Sequence, residues 1–161
     1  MRGFTLVELL VVMVVIGCLG AIAVPSLFSQ VNKTREAEAI NYLRLLVNDQ
    51  KESRLEKGDY EIENLKHLSL LKSNRAKYFK FDVDPSSSSE GVFIQAAPKS
   101  KWATHLKSYF AAIILIKGNE FIEVSIICRS KSIIGKHLKK SDLYINSKAK
   151  TLTCRNNAEP I

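Results

Sequence analysis

The sequence predicts an α+β fold in which one long amino-terminal α-helix packs on an antiparallel β-sheet of about four strands. Two patterns predict it: helical periodicity that continues from near the amino terminus to Gly58, and then strand-like segments separated by turn-forming residues. Composition agrees, since 46% hydrophobic and 25% charged residues over 161 positions suit one modest domain plus an appendage rather than a disordered chain.

The helix begins in an apolar run. Leu9 to Val24 carries no charged or strongly polar side chain. As one helix, Phe4 to Val24 is about 30 Å long at ~1.5 Å per residue, enough to cross a bilayer core. Arg2 is the sole charge ahead of Phe4 and holds the short leader on the cytoplasmic side. Glu8 breaks the pattern, because a carboxylate inside such a span is costly unless paired. Pro25 removes a backbone donor and clashes one turn back, so a kink is expected between Ala21 and Pro25. Gly17 and Gly20 weaken the same stretch or permit close helix packing. Beyond Pro25 the pattern turns amphipathic, with Phe28, Val31, Ala39, Leu43, Leu46 and Val47 at three- and four-residue steps. The half beyond about Ser29 is expected to pack on the sheet, and the helix to stop at Gly58-Asp59.

Tyr60 to Arg75 reads as a connector with a helical turn around Ile62 to Leu71. Strand-like segments follow at Tyr78-Val83, Val92-Ala97, Tyr109-Ile116 and Phe121-Arg129. Gly118-Asn119 suits a tight hairpin between the last two. Ser86 to Ser89 reads as a flexible low-complexity loop, and Lys99 to Lys107 as a polar connection containing Trp102. Further strand candidates are Leu143-Ile145 and Leu152-Cys154.

Charge is concentrated at the carboxyl end. Of a formal net charge of +8, the segment Arg129 to Arg155 supplies most, setting Arg129, Lys131, Lys136, Lys139, Lys140, Lys148, Lys150 and Arg155 against Asp142 alone. Lys136, Lys139 and Lys140 form the densest cluster and the candidate site for DNA or an acidic polysaccharide; the alternative is a solvated surface. Tyr144 is the one aromatic residue within the segment, so stacking support for single-stranded DNA is thin. Cys18 lies in the apolar run as a small hydrophobe. Cys128 and Cys154 are expected to form a disulfide if this part is exported, worth roughly 3 to 4 kcal/mol by the chain-entropy account; the alternative is two buried thiols. His67, His105 and His137 share no metal-ligand spacing with each other or the cysteines. With no nucleophile elbow, phosphate loop or paired carboxylates, the expectation is a protein that is not an enzyme and holds no metal or cofactor.

Three readings compete for the amino terminus. A cleaved secretory signal could use Ala21-Ile22-Ala23, but its basic region is very short and an acid follows at once. A plain signal anchor gives Glu8 no role. The third reading follows from the run GFTLVELLVVMVVIGCLGAIAVPSLF, which resembles the class III signal of type IV pilins and pseudopilins. The order of the elements resembles the pilin fold over nearly the whole chain, most closely the shorter-leader pilin-like proteins of cyanobacteria.

That resemblance implies the following roles. Prepilin peptidase, a membrane aspartyl protease, cuts after Gly3 and N-methylates Phe4. Glu8 then becomes the fifth residue and pairs with the terminal amine of a neighbouring subunit during assembly. Pro25 falls where many type IV pilins carry their kink proline. The chain divides into a leader (1–3), a transmembrane or filament-core half-helix (4–28) and a globular head (29–161) that includes the region 128–154. The expected function is that of a structural subunit of a type IV pilus or related filament supporting motility, adhesion or DNA uptake. It would sit in the inner membrane as a single-pass protein and later in an extracellular pilus or periplasmic pseudopilus. The alternatives are a type II secretion pseudopilin and a membrane-anchored binding domain that never polymerises.

Overall fold

In the computed structural model, which describes residues 4–62, 76–116, 121–133, 138–146 and 149–161, helix α1 runs Leu6–Lys57 without interruption through Gly17, Gly20 and Pro25. It ends where sequence chemistry ends it: Gly58 takes φ 80, a left-handed conformation that suits glycine, and its N–H donates to the Arg54 carbonyl at 2.9 Å. The chain forms two compact units, one closing at Thr34 and the other covering Arg35–Ile161.

Among its described residues the second unit holds seven strands: β1 (Phe79–Val83), β2 (Gly91–Pro98), β3 (Tyr109–Ile116), β4 (Ile122–Ser130), β5 (Leu143–Asn146), β6 (Thr151–Cys154) and β7 (Ala158–Pro160). The main sheet has five strands in the order β1-β2-β3-β4-β7, all antiparallel, and β5 and β6 form a separate antiparallel pair. The sheet is therefore one strand larger than periodicity predicts. β7 is three residues long, ends in proline and has no alternation to betray it. It enters after a turn in which Asn156 adopts φ 57 and the Ala158 N–H donates to the Arg155 carbonyl at 3.0 Å. Proline is tolerated there because β7 is an edge strand.

The two faces of the sheet are both covered. On one face, Ala39, Leu43, Leu46 and Val47 of α1 lie against Phe79 and Phe81 of β1, Val92, Ile94 and Ala96 of β2, and Tyr109, Ala111 and Ile113 of β3. Burial of the helix stripe begins at Ala39, not near Ser29, and Val31 remains exposed. On the opposite face, Phe93, Phe110, Ala112, Ile114, Cys128 and Ala158 of the sheet cluster with Leu138 and Leu152 from outside it. This two-sided burial explains why β3 reads YFAAIILI, an apolar run without alternation. Gly91 has a steric reason to be glycine, since a Cβ there would lie 3.0 Å from the Ile113 carbonyl oxygen.

The serine run is tied down rather than loose. Asp84 accepts from the Ser86 N–H at 2.9 Å and hydroxyl at 2.6 Å, and the Ser87 hydroxyl accepts the Phe93 N–H at 3.0 Å. The Lys99 to Lys107 connection contains a short 3-10 turn, Ser100–Trp102, and buries Leu106 completely. The expected Gly118-Asn119 hairpin and most of the expected turn at Ile62 to Leu71 lie outside the described residues.

Candidate functional site

The amino-terminal unit presents an apolar helix with no covering. Phe4 is 78% exposed, and Leu10, Ile16, Ile22 and Phe28 are likewise exposed. Within α1 lies a window of mean hydropathy 2.7, none of it buried, and the helix is long and apolar enough to cross a membrane. So large a contiguous apolar surface marks an interface with lipid or with other helices.

Glu8 lies in the first turn of this helix, and the structure gives it a partner that the motif reading missed. Its Oε2 accepts from the Thr5 N–H and from the Thr5 hydroxyl, both at 2.9 Å, while the Glu8 N–H donates to the Thr5 Oγ1 at 3.3 Å. This is a reciprocal capping box, and the signal for it, Thr5-x-x-Glu8, stands in the sequence. The carboxylate is exposed, so a cation from outside the chain can reach it. Pro25 is inside the helix, where it cannot donate to the carbonyl four residues back. Gly3 lies outside the described residues.

In the second unit, Cys128 and Cys154 form a disulfide with their Cα atoms 5.9 Å apart, joining β4 to β6. Cys18 is a free, exposed thiol in the apolar run. The region closed by the disulfide is basic on its solvent side and apolar beneath, where Leu138 and Leu152 face the sheet. The three lysines singled out there are not equivalent. Lys139 is exposed, and its N–H donates to Asp142 at 2.9 Å. Lys140 turns its Nζ over the Phe93 ring, 4.6 Å from the centroid, at the rim of an open groove of about 350 Å³ floored by Ile114 and Ile116. Lys136 lies outside the described residues, as do His67 and His137, while His105 is exposed. Among the described residues no group of three or more His, Cys, Asp or Glu side chains could hold a metal ion.

Among the described residues of this unit, Asp84 and Glu159 are perturbed. Burial pushes Asp84 up, but hydrogen bonds from Ser86 and Gln95 and the charge of Lys140 hold it below its usual value. Hydrogen bonding from Arg129, helped by the charges of Arg129 and Lys107, holds Glu159 below its own. Arg129 reaches Glu159 with Nε at 2.9 Å and Nη2 at 2.6 Å, and Lys107 Nζ is 3.6 Å away, so one carboxylate of β7 ties the edge strand to β4.

Comparison with known proteins agrees with this arrangement. Residues 36–154 match the family described as Type IV pilin-like G and H, and residues 1–24 match the prokaryotic N-terminal methylation motif. Over 59 residues, 37% of this chain, the sequence is 41% identical to the type IV major pilin protein PilA of Myxococcus xanthus (strain DK1622). Over 105 residues, 64% of this chain, it is 30% identical to the type II secretion system core protein G of Pectobacterium carotovorum subsp. carotovorum. The matched stretches cover 27% and 63% of those two relatives' own lengths. No solved structure matches the chain.

Proposed function

Since the chain belongs to the Type IV pilin-like G and H family, we propose that it is a structural subunit of a type IV pilus or related filament, polymerised through its amino-terminal helix. The observation that carries this reading is the bare apolar helix with one carboxylate, Glu8, in its first turn. Prepilin peptidase cuts after Gly3 and methylates Phe4, leaving a cationic secondary amine. That amine of one subunit meets Glu8 of its neighbour. In a low-dielectric bundle an uncompensated carboxylate is costly, so the pairing sets register and favours recruitment of the next subunit. Residues 4–28 hold the subunit in the inner membrane until assembly and then form the filament core. Residues 29–161 form the head on the extracytoplasmic side, where oxidation of Cys128 and Cys154 is permitted. Motility, adhesion or DNA uptake follow at the level of the assembled system.

Mass analysis of the mature protein tests the processing step. A chain beginning at methyl-Phe4 is expected, whereas one beginning at Val24 would sink the reading in favour of a secretory signal.

A pseudopilus subunit of a type II secretion system is the second reading, favoured by the similarity to core protein G over 64% of this chain. Deleting the gene separates the two: loss of surface pili follows from the first, and loss of protein secretion with pili intact from the second. Lys139, exposed beside Lys140 in the disulfide-closed region, is the described residue best placed for a polyanion such as DNA. A gel shift weakened by salt and by Lys136→Glu, Lys139→Glu and Lys140→Glu together is the outcome that reading requires.

A further inference from the structure

The end of the head domain at which the chain enters is built from cations and aromatic rings. The Arg35 guanidinium stands over the Trp102 ring, 4.2 Å from its centroid, and over Tyr78 at 5.0 Å, while Tyr78 and Trp102 meet edge to face at 5.4 Å. Lys77 and Lys101 flank the pair, with Nζ 5.6 Å from the Tyr78 centroid and 5.7 Å from the Trp102 centroid. Both lysines are exposed, and among the described residues neither pairs with a carboxylate. The carboxylates at this end are engaged elsewhere: Glu36 accepts the Lys107 N–H at 3.0 Å and hydrogen-bonds the Tyr109 side chain, Glu38 accepts the Lys77 N–H at 3.3 Å, and Glu159 pairs with Arg129 and Lys107. Asp84, Glu90 and Glu123 lie at the opposite end of the strands.

We propose that this collar of Arg35, Lys77, Tyr78, Lys101 and Trp102 binds the anionic headgroups of the bilayer in which the chain is anchored before assembly. Tryptophan and tyrosine settle at the headgroup level of a membrane, where ring and polar tip are both satisfied, and lysine and arginine beside them meet phosphate. Attraction of cations to an anionic leaflet falls off within a Debye length, so the collar must lie close to the surface. Connectivity allows this, because only Ser29 to Thr34 separates the last apolar position, Phe28, from Arg35, a tether of about 25 Å even at full extension. The contact orients the head while it waits in the membrane. Leaving the bilayer for a filament then requires giving it up, which makes extraction sensitive to lipid charge. The inference rests on the membrane-anchored reading above.

Trp102 is the single tryptophan of the chain and so reports on the collar directly. The experiment places the full-length protein in nanodiscs of phosphatidylcholine, with or without phosphatidylglycerol, carrying a nitroxide on the headgroup. Quenching of Trp102 emission is expected to be at least twofold stronger with phosphatidylglycerol, to be lost in high salt, and to be lost in Lys77→Glu/Lys101→Glu. Quenching that is indifferent to lipid charge, or untouched by the double reversal, overturns the proposal. Quenching relieved by soluble DNA in place of salt reassigns the collar to a nucleic-acid surface and overturns it too. A chain that fails to enter the nanodisc refutes the anchored reading and this inference with it; one that enters without charge-dependent quenching refutes the collar alone.

Discussion

Thr5 and Glu8 hold one another: the carboxylate takes both the N–H and the hydroxyl of Thr5, and the hydroxyl takes the N–H of Glu8. The acid assigned to assembly therefore caps its own helix in the single subunit. In an apolar bundle a charge without its partner is costly, and removing the Glu8 carboxylate leaves the neighbour's terminal amine as that charge. Glu8→Ala is accordingly expected to abolish incorporation into filaments while leaving membrane insertion intact. Thr5→Val, which removes the hydroxyl's two hydrogen bonds of the cap and keeps the backbone one, is expected to keep assembly. Immunoblots of sheared filaments and of membrane fractions separate the two, and normal filaments from Glu8→Ala would contradict the assembly role.

The Cys128–Cys154 bond closes a loop with a sequence separation of 26. Replacing both cysteines with serine is expected to cost about 3 to 4 kcal/mol, through greater freedom of the unfolded chain. Urea denaturation of wild type with reductant should reproduce the loss. An unchanged midpoint in both experiments would mean that packing of Leu138 and Leu152 on the sheet suffices.

Gln50 faces inward from α1 at 1% exposure, and its Oε1 has no hydrogen-bond partner among the described residues. A buried acceptor left unmade costs about 1 to 3 kcal/mol. Gln50→Met, similar in length and free of that penalty, should therefore stabilise the domain by roughly 1 kcal/mol. The expected readout is a higher denaturation midpoint at unchanged m-value; a lower midpoint would show that the amide is satisfied in solution.

Acid should weaken the head domain through Asp84 and Glu159. Both have folded-state pKa values depressed below their ordinary ones. The stability they contribute is thus complete above the ordinary carboxylate range and is lost as pH falls through their depressed folded values, below that range. Asp84→Asn and Glu159→Gln should each flatten this acid limb, measured as melting temperature against pH. Curves that superimpose on wild type below that range would remove both residues from the account.

Much of this architecture is written locally in the chain. Three- and four-residue spacing places Ala39, Leu43, Leu46 and Val47 on one helical stripe, and Gly58 ends the helix because it accepts a positive φ. Strands β1 to β4 were legible from their apolar runs, and the amino-terminal motif from the spacing of glycine, aromatic residue and glutamate. What local pattern could not supply was partnership between distant segments. β7 pairs with β4 across the chain, with Glu159 held by Arg129 and Lys107, and three residues ending in proline carry no period of their own. Nothing in the sequence links Arg35 of the helix to Trp102 of the Lys99 to Lys107 connection, and only the fold stacks them. The sequence by itself determined the long helix, its apolar first half, its stop and the antiparallel order, since each depends on neighbours within a few residues. Tertiary structure alone decided the fifth strand, the covering of the second sheet face and the cation–aromatic collar, because each is stabilised by contacts that exist only once remote segments have met.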